Sequence, residues 1–391
     1  MISTAELARL DEADPLQGLK SAFALPKGVI YLDGNSLGPP TKAALARLRR
    51  VAENEWAEGL IRSWNDADWI SLPKTCGARI ARIIGADADD VLVCDSVSIN
   101  IFKIAAALKR LMPDARIDVS RDEFPTDIYV IDSLASLTAT PSAEKRVILV
   151  KSVVDFRTGA IADIEETERR VGAGGGAVIW DLSHAAGLLD LRLKERGVRC
   201  AVGCGYKFLN GGPGAPAFVY VARALADGLH QPLSGWMGHA RPFDFAPDYA
   251  PAPGVQRFAA GTPPILSLCA LDAALDAFNG VRMSDVERKA RRLGDLFLEG
   301  AAALGLHSVS PPSAKRGGQI SLRHEAGYAI MQALIARGVI GDFRPPDIMR
   351  FGFSPLFLSH ADIGEAVGVL GDILGSGAWR DPRFSARRIV P

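Results

Sequence analysis

Residues 177–212 read "AVIWDLSHAAGLLDLRLKERGVRCAVGCGYKFLNGG". Two short apolar runs, "AVIWDLS" at 177–183 and "CAVGCG" at 200–205, carry chemistry where they end: Asp181 and His184 at the first, Tyr206 and Lys207 at the second. Apolar runs of this length, bounded by small and polar residues, have the pattern of buried strands. The same rhythm extends outward in both directions. Strand-like "DDVLVCDS" (89–96), "RIDVS" (116–120), "RVILVKS" (146–152) and "APAFVYVA" (215–222) alternate with helix-period segments at 42–58, 78–84, 127–135 and 163–170. Strands alternating with helices predict an α/β fold built on a mostly parallel, doubly wound sheet.

After about residue 275 the pattern changes. A charged amphipathic helix at 283–303, a strand near "GQISLRH" (318–324) and helices at 325–337 and 360–374 predict a smaller α+β domain. The expected organisation is a segment 1–45 packing with the small domain, a large domain at 46–275 and the small C-terminal domain at 276–391.

Composition sets the class. The chain has 391 residues, 48% hydrophobic and 23% charged, enough to bury a large core. Lys plus Arg and Asp plus Glu are 45 each, so no global field draws the chain to nucleic acid or to an anionic membrane. Acids interrupt the N-terminal stretch where a signal peptide needs an apolar core, and no run approaches a membrane span. The expected location is cytoplasmic. The five cysteines are sparse, with no histidine cluster beside them, and read as small core residues; no metal is expected.

Ligands of open parallel sheets sit at the carboxyl ends of the strands. The string "GAGGGA" (172–177) matches a dinucleotide-loop spacing, but it precedes a strand instead of following one, and so reads as a turn. The residues that do follow strands are of another kind. Asp181 closes an apolar run, and burying its anion is costly without a cationic partner. A protonated pyridine nitrogen is such a partner, and an aspartate that keeps it protonated makes the ring an electron sink. His184 can project near the same ring. Lys207, one strand further on, is the candidate Schiff-base lysine, with Tyr206 a hydrogen-bond donor beside it. Ser98 begins a helix, where N–H groups and the helix dipole favour phosphate. Phe124 has a flat face for stacking. Each residue also has a plain reading: Ser98 as an N-cap, Phe124 as core, His184 as a satisfied buried histidine. Together, in this order, they point to a pyridoxal phosphate enzyme.

Four narrower strings then matter: "FPTD" (124–127), "WDLSHAAG" (180–187), "YKFLNGGPG" (206–214) and "GWMGH" (235–239). With them the chain resembles the kynureninase family, from "YLDGNSLGPP" (31–40) to "DIMRFGFSPLF" (347–357). The resemblance implies an aminotransferase-like fold (fold type I) and hydrolysis of the Cβ–Cγ bond of L-kynurenine, or its 3-hydroxy derivative, to anthranilate or 3-hydroxyanthranilate and L-alanine. It places that reaction in tryptophan catabolism and NAD precursor supply. By resemblance, Lys207 carries pyridoxal 5'-phosphate and removes the α-proton, Asp181 partners the pyridine nitrogen, and Tyr206 serves as acid or base in later steps. Val97, Ser98, Phe124, Pro125, Thr126, Asp127, Ser152, His184, Trp236 and Thr262 match the remaining cofactor contacts. Trp236 and Thr262 reach a neighbouring subunit, which implies a homodimer with shared sites. Arg350 matches the arginine that holds the substrate carboxylate, and Trp64, Asn35 and Ser36 match positions near the substrate's aromatic end. Asn35 and Ser36 also read as a simple turn before Gly38. One departure is Asp155 in "SVVDFRTG", where the family more often has asparagine or histidine.

Rivals explain less. A cysteine desulfurase needs a nucleophilic cysteine late in the chain, and none follows Cys269. An aminotransferase or epimerase of the same fold would keep Asp181, His184 and Lys207 without needing "FPTD" and "GWMGH". A cofactor-binding regulator without activity would be expected to lose Lys207 or Arg350, and both are present.

Overall fold

The computed structural model describes residues 3–138 and 146–387. The chain divides into two compact units. One comprises residues 43–153 and 162–276; the other comprises 1–42, 154–161 and 277–391. The short segment 154–161 thus leaves the range expected for the large domain and belongs to the smaller unit.

The larger unit is organised by a six-stranded sheet of β1 (Val91–Val93), β2 (Ala115–Val119), β3 (Arg146–Ser152), β4 (Ala177–Asp181), β5 (Cys200–Cys204) and β6 (Ala217–Val221), in the order β1-β6-β5-β4-β3-β2. Pairs β2/β3, β3/β4 and β4/β5 are parallel, while β6 runs antiparallel to both β5 and β1. β1 therefore points the same way as β2 to β5, and five carboxyl ends share one edge. All residues of β4 and β5 are buried, which is why these strands read as continuous apolar runs without alternation.

The helix Val97–Leu111 follows β1 directly. Its buried Ile101, Ile104, Ala105 and Leu108 recur at helical spacing and join the core formed with Ile148, Ile179 and Val202. Each such Ile or Leu contributes roughly 1.5–3 kcal/mol relative to exposure. Ser96, one residue ahead of the helix, caps it: its hydroxyl accepts from Ile99 N at 3.4 Å. Ser98, which the sequence pattern allows as a cap, is the second helical residue. Two further helices, Pro125–Leu137 and Ile164–Ala173, alternate with the strands as the sequence pattern predicts.

The smaller unit holds a four-stranded antiparallel sheet of β7 (His307–Ser308), β8 (Gln319–Arg323), β9 (Asp342–Arg344) and β10 (Ile348–Gly352), ordered β9-β10-β8-β7. Helices Met283–Ala303, Gly327–Ala336 and His360–Ser376 belong to the same unit. Phe297 packs on Phe351 and Phe353 with ring centroids 4.6 and 5.4 Å apart. Among the described residues, no helix is long and apolar enough to cross a membrane.

Candidate active site

The carboxyl edge of the large sheet gathers most of the residues the sequence singled out. Asp181 ends β4 and lies in register with Ser152, the last residue of β3. Its Oδ1 accepts from Ser183 N at 2.8 Å and from Ser183 Oγ at 2.6 Å. Burial raises the Asp181 pKa, and Ser183 and the Lys207 ammonium work against that rise. The carboxylate is therefore held, but short of positive charge.

β5 then delivers the lysine. The chain turns sharply after Cys204: Asn210 N donates to Lys207 O and Gly211 N to Gly205 O, both at 2.9 Å. A Cβ on Gly205 would meet Pro216 O at 2.5 Å, and one on Gly211 would meet Gly205 O at 2.8 Å, so this turn closes only with glycine at both positions. It leaves Lys207 half-buried, with Nζ 2.9 Å from His184 Nε2 and 5.9 Å from the centre of the Tyr206 ring. Burial, followed by the nearby Cys204 and Asp181, pushes the Tyr206 phenol up, so it keeps its proton at neutral pH.

Asp127 supplies a second carboxyl. It sits in the first turn of the helix Pro125–Leu137, whose N-cap position is Phe124, and is 1% exposed. Its Oδ2 has no hydrogen-bond partner among the described residues. Burial, then the charges of Asp181 and Glu123, push its pKa up to about 8, with Lys207 opposing. A buried carboxyl oxygen without a donor is expensive. It marks a place built for a group that the chain itself does not supply. Phe124, at 41% exposed, presents an aromatic face from the same turn.

Glu123 was not singled out from the sequence, although it directly precedes the string "FPTD". Its Oε2 accepts from Ser152 N at 3.1 Å, tying the end of β3 to the turn before Pro125. Ser183 was missed as well; the two-residue spacing from Asp181 is the signal that an Asx-type turn offers.

A cavity of about 530 Å³ in the same unit is lined by Tyr206, Ser96, Lys74, Gln256, Met237 and Thr262 among others. Trp236 does not line it. Its ring lies 40% exposed, stacked near Phe245 at 6.4 Å and edge-on to Phe243 at 5.7 Å. Trp64 packs edge-on to Trp69, whose Nε1 donates to Glu55 Oε2 at 2.8 Å.

The remaining candidate residues form their own cluster in the smaller unit. Arg350 is buried; its Nε donates to Asp342 Oδ1 at 2.8 Å and its Nη2 to Ser36 Oγ at 2.9 Å. Nη2 also bonds Asp342 Oδ2, and Nη1 donates to Phe156 O at 2.8 Å. Asn35 is fully buried, with Nδ2 donating to Gln319 Oε1 at 3.3 Å. Burial, followed by the charge of Asp342, pushes the Asp33 carboxyl up to about 7. Asp155 caps its own turn, where its Oδ1 accepts from Arg157 N, Thr158 N and Thr158 Oγ1 at 3.1, 2.7 and 2.7 Å. An asparagine oxygen could cap that turn equally well, so the departure noted in the sequence preserves the turn.

Taken together, the large unit offers a buried carboxylate short of positive charge, a buried carboxyl with one oxygen left without a donor, an amine within reach of a histidine, an aromatic face and a helix N-terminus at Val97 and Ser98. That donor set fits a planar cationic ring bearing a phosphate.

Comparisons with known proteins agree in kind. Residues 286–370 match the family model described as the kynureninase C-terminal domain. A kynureninase of Burkholderia mallei (strain SAVP1) is 44% identical over 416 residues, covering 100% of both chains. One from Pseudomonas fluorescens is 42% identical over 415 residues, again covering 100% of each. Among solved structures, an apo cysteine desulfurase from Thermococcus onnurineus NA1 aligns with TM-score 0.76 at 17% identity, covering 96% of this chain and 100% of that one. A C-DES mutant with glycine covalently linked to its PLP cofactor aligns with TM-score 0.77 at 16% identity, covering 88% of this chain and 97% of that one. Likeness at that identity concerns the fold alone.

Proposed function

The chain belongs to the kynureninase family, and on that premise we propose that Lys207, Asp181 and Tyr206 form the reacting centre of a pyridoxal-phosphate-dependent hydrolase cleaving the Cβ–Cγ bond of L-kynurenine. The observation that carries the residue assignment is the pairing of Lys207 Nζ with His184 Nε2 at 2.9 Å on the sheet edge that Asp181 closes. Pyridoxal phosphate supplies an aldehyde carbon that condenses with amines and a ring that accepts electron density.

Each residue then has a distinct role. Asp181, fixed by two donors from Ser183, holds the proton on the ring nitrogen. Lys207 would hold the cofactor through its Nζ and, as a free amine, would take the substrate's α-proton. His184, which shares a hydrogen bond with that nitrogen, orients it. Tyr206 keeps its phenolic proton and donates it in the later steps. Val97 and Ser98, in the first turn of a helix, would offer N–H groups to the phosphate, and Phe124, Pro125, Thr126, Asp127 and Ser152 would hold the ring, Phe124 through its aromatic face. Arg350 holds the substrate α-carboxylate. Trp64, Asn35 and Ser36 act toward the substrate's aromatic end.

The finer assignments rest on the same resemblance. The working unit is a homodimer in which Trp236 and Thr262 complete the neighbouring subunit's phosphate site; the exposed Trp236, Phe243 and Phe245 rings support this. The enzyme works in the cytoplasm, which suits five free, buried thiols. Its place is in tryptophan catabolism, ahead of NAD precursors. The expected domain plan, a large cofactor-binding part and a small C-terminal part with the N-terminal segment, is carried forward with residues 154–161 reassigned. Incubating the purified protein with pyridoxal phosphate and L-kynurenine should release fluorescent anthranilate, with 3-hydroxykynurenine run in parallel. Absence of product from both substrates would refute the function.

A further inference from the structure

Arg350 is not a free fork waiting for a ligand. A guanidinium has five N–H donors. Four of Arg350's are engaged within its own unit, by Asp342 Oδ1 and Oδ2, by Ser36 Oγ and by Phe156 O. The fifth, on Nη1, has no hydrogen-bond partner among the described residues. The carboxylate on the Nε and Nη2 edge is itself tied down: Asp342 Oδ2 also accepts from Ser36 Oγ at 2.8 Å and from Arg344 Nη2 at 2.7 Å. Asp342 and Arg350 are direct partners across β9 and β10. The sheet fixes both backbones opposite each other, and Ser36 and Arg344 hold the carboxylate in place, so Asp342 is a standing neighbour of the fork.

We propose that Asp342 is a positioning residue for substrate recognition: it occupies one edge of the Arg350 guanidinium so that the substrate α-carboxylate is met from the Nη1 side alone, in one orientation. Ser36 takes part by bridging the two, donating to Asp342 and accepting from Arg350. The proposal rests on the reading that Arg350 holds the substrate carboxylate. Its chemistry follows from geometry: an anchored planar donor loses less orientational freedom on binding than a mobile one.

The test uses the holoenzyme. Asp342→Asn keeps the shape and removes the charge that fixes the fork; it should raise KM for L-kynurenine about tenfold while kcat moves far less, the scale of one weakened charge-assisted bond. Inhibition by the decarboxylated amine of kynurenine, which lacks the carboxylate Arg350 would meet, should be unchanged. Arg350→Ala should raise KM at least as much, and adding Asp342→Asn to it should raise KM no further. Arg350→Lys serves the same comparison if the alanine variant does not fold. Weakened binding of the decarboxylated analogue by Asp342→Asn, or additive effects in the double variant, would overturn the positioning role and leave Arg350's role standing. An unchanged KM in both Arg350 variants would overturn both.

Discussion

Asp127 offers a sharp test because its environment is so specific. Its carboxyl is buried, one oxygen has no donor, and its pKa is pushed from the ordinary 3.8 to about 8 by burial and by Asp181 and Glu123. In the unfolded chain it is ionised above about pH 4. Between those values the folded protein binds a proton that the unfolded chain does not, so stability falls as pH rises. The slope is about 1.4 kcal/mol per pH unit, which gives a loss on the order of 4 kcal/mol between pH 5 and pH 8 for a fully buried group. Asp181 lies close enough to share the titration, so the effect belongs to the pair. Asp127→Asn removes the titration. Urea unfolding of the cofactor-free protein at pH 5, 6, 7 and 8 should show wild type losing stability with pH more steeply than Asp127→Asn does. Asp33, raised to about 7 by burial, is present in both proteins and cancels in the comparison. Parallel curves would refute the picture of a buried, donor-starved carboxyl.

Further outcomes follow from named contacts. Ser183→Ala removes the 2.6 Å bond to Asp181, a charge-assisted interaction of about 1.5–3 kcal/mol, and should lower the stability of the cofactor-free protein on that scale in urea unfolding, and weaken cofactor binding in a fluorescence titration as the Asp181 carboxylate loses its orientation. Trp236→Ala should lower cofactor affinity by about 1.5–3 kcal/mol even where sedimentation shows the dimer intact. Diluting wild type toward monomer should release cofactor. A monomer that keeps its cofactor would remove Trp236 and Thr262 from the shared site. Gly211→Ala sets a Cβ 2.8 Å from Gly205 O, so it should cost stability and distort the turn that presents Lys207; circular dichroism melting with cofactor content measured alongside checks this.

Much of this site is legible in the chain because a parallel sheet sends its strand ends to one edge. Once "AVIWD" and "CAVGC" read as neighbouring buried strands, Asp181 and Lys207 had to lie close together. What the sequence hid depends on pairing and burial. Asp342 became the partner of Arg350 only through the cross-strand register of β9 and β10, which no local pattern states. Ser98 and Ser96 are equally plausible caps by type, and the helix start decides for Ser96. Residues 154–161 sit between segments of the larger unit, and nothing in their composition shows that Phe156 O is held by Arg350 within the smaller one. Asp127 read as one of the four cofactor contacts in the string "FPTD", yet only its burial reveals an oxygen without a donor.

Everything proposed for the reaction turns on Lys207, half-buried beside His184 at the sheet's carboxyl edge, being the residue that carries the cofactor. Treating the pyridoxal-phosphate-loaded protein with borohydride, digesting it and mapping the adduct by mass spectrometry tests that directly. One phosphopyridoxyl group is expected on the peptide containing Lys207, and none at that position in Lys207→Ala. An adduct on another lysine, or none in protein that still forms anthranilate, would contradict it.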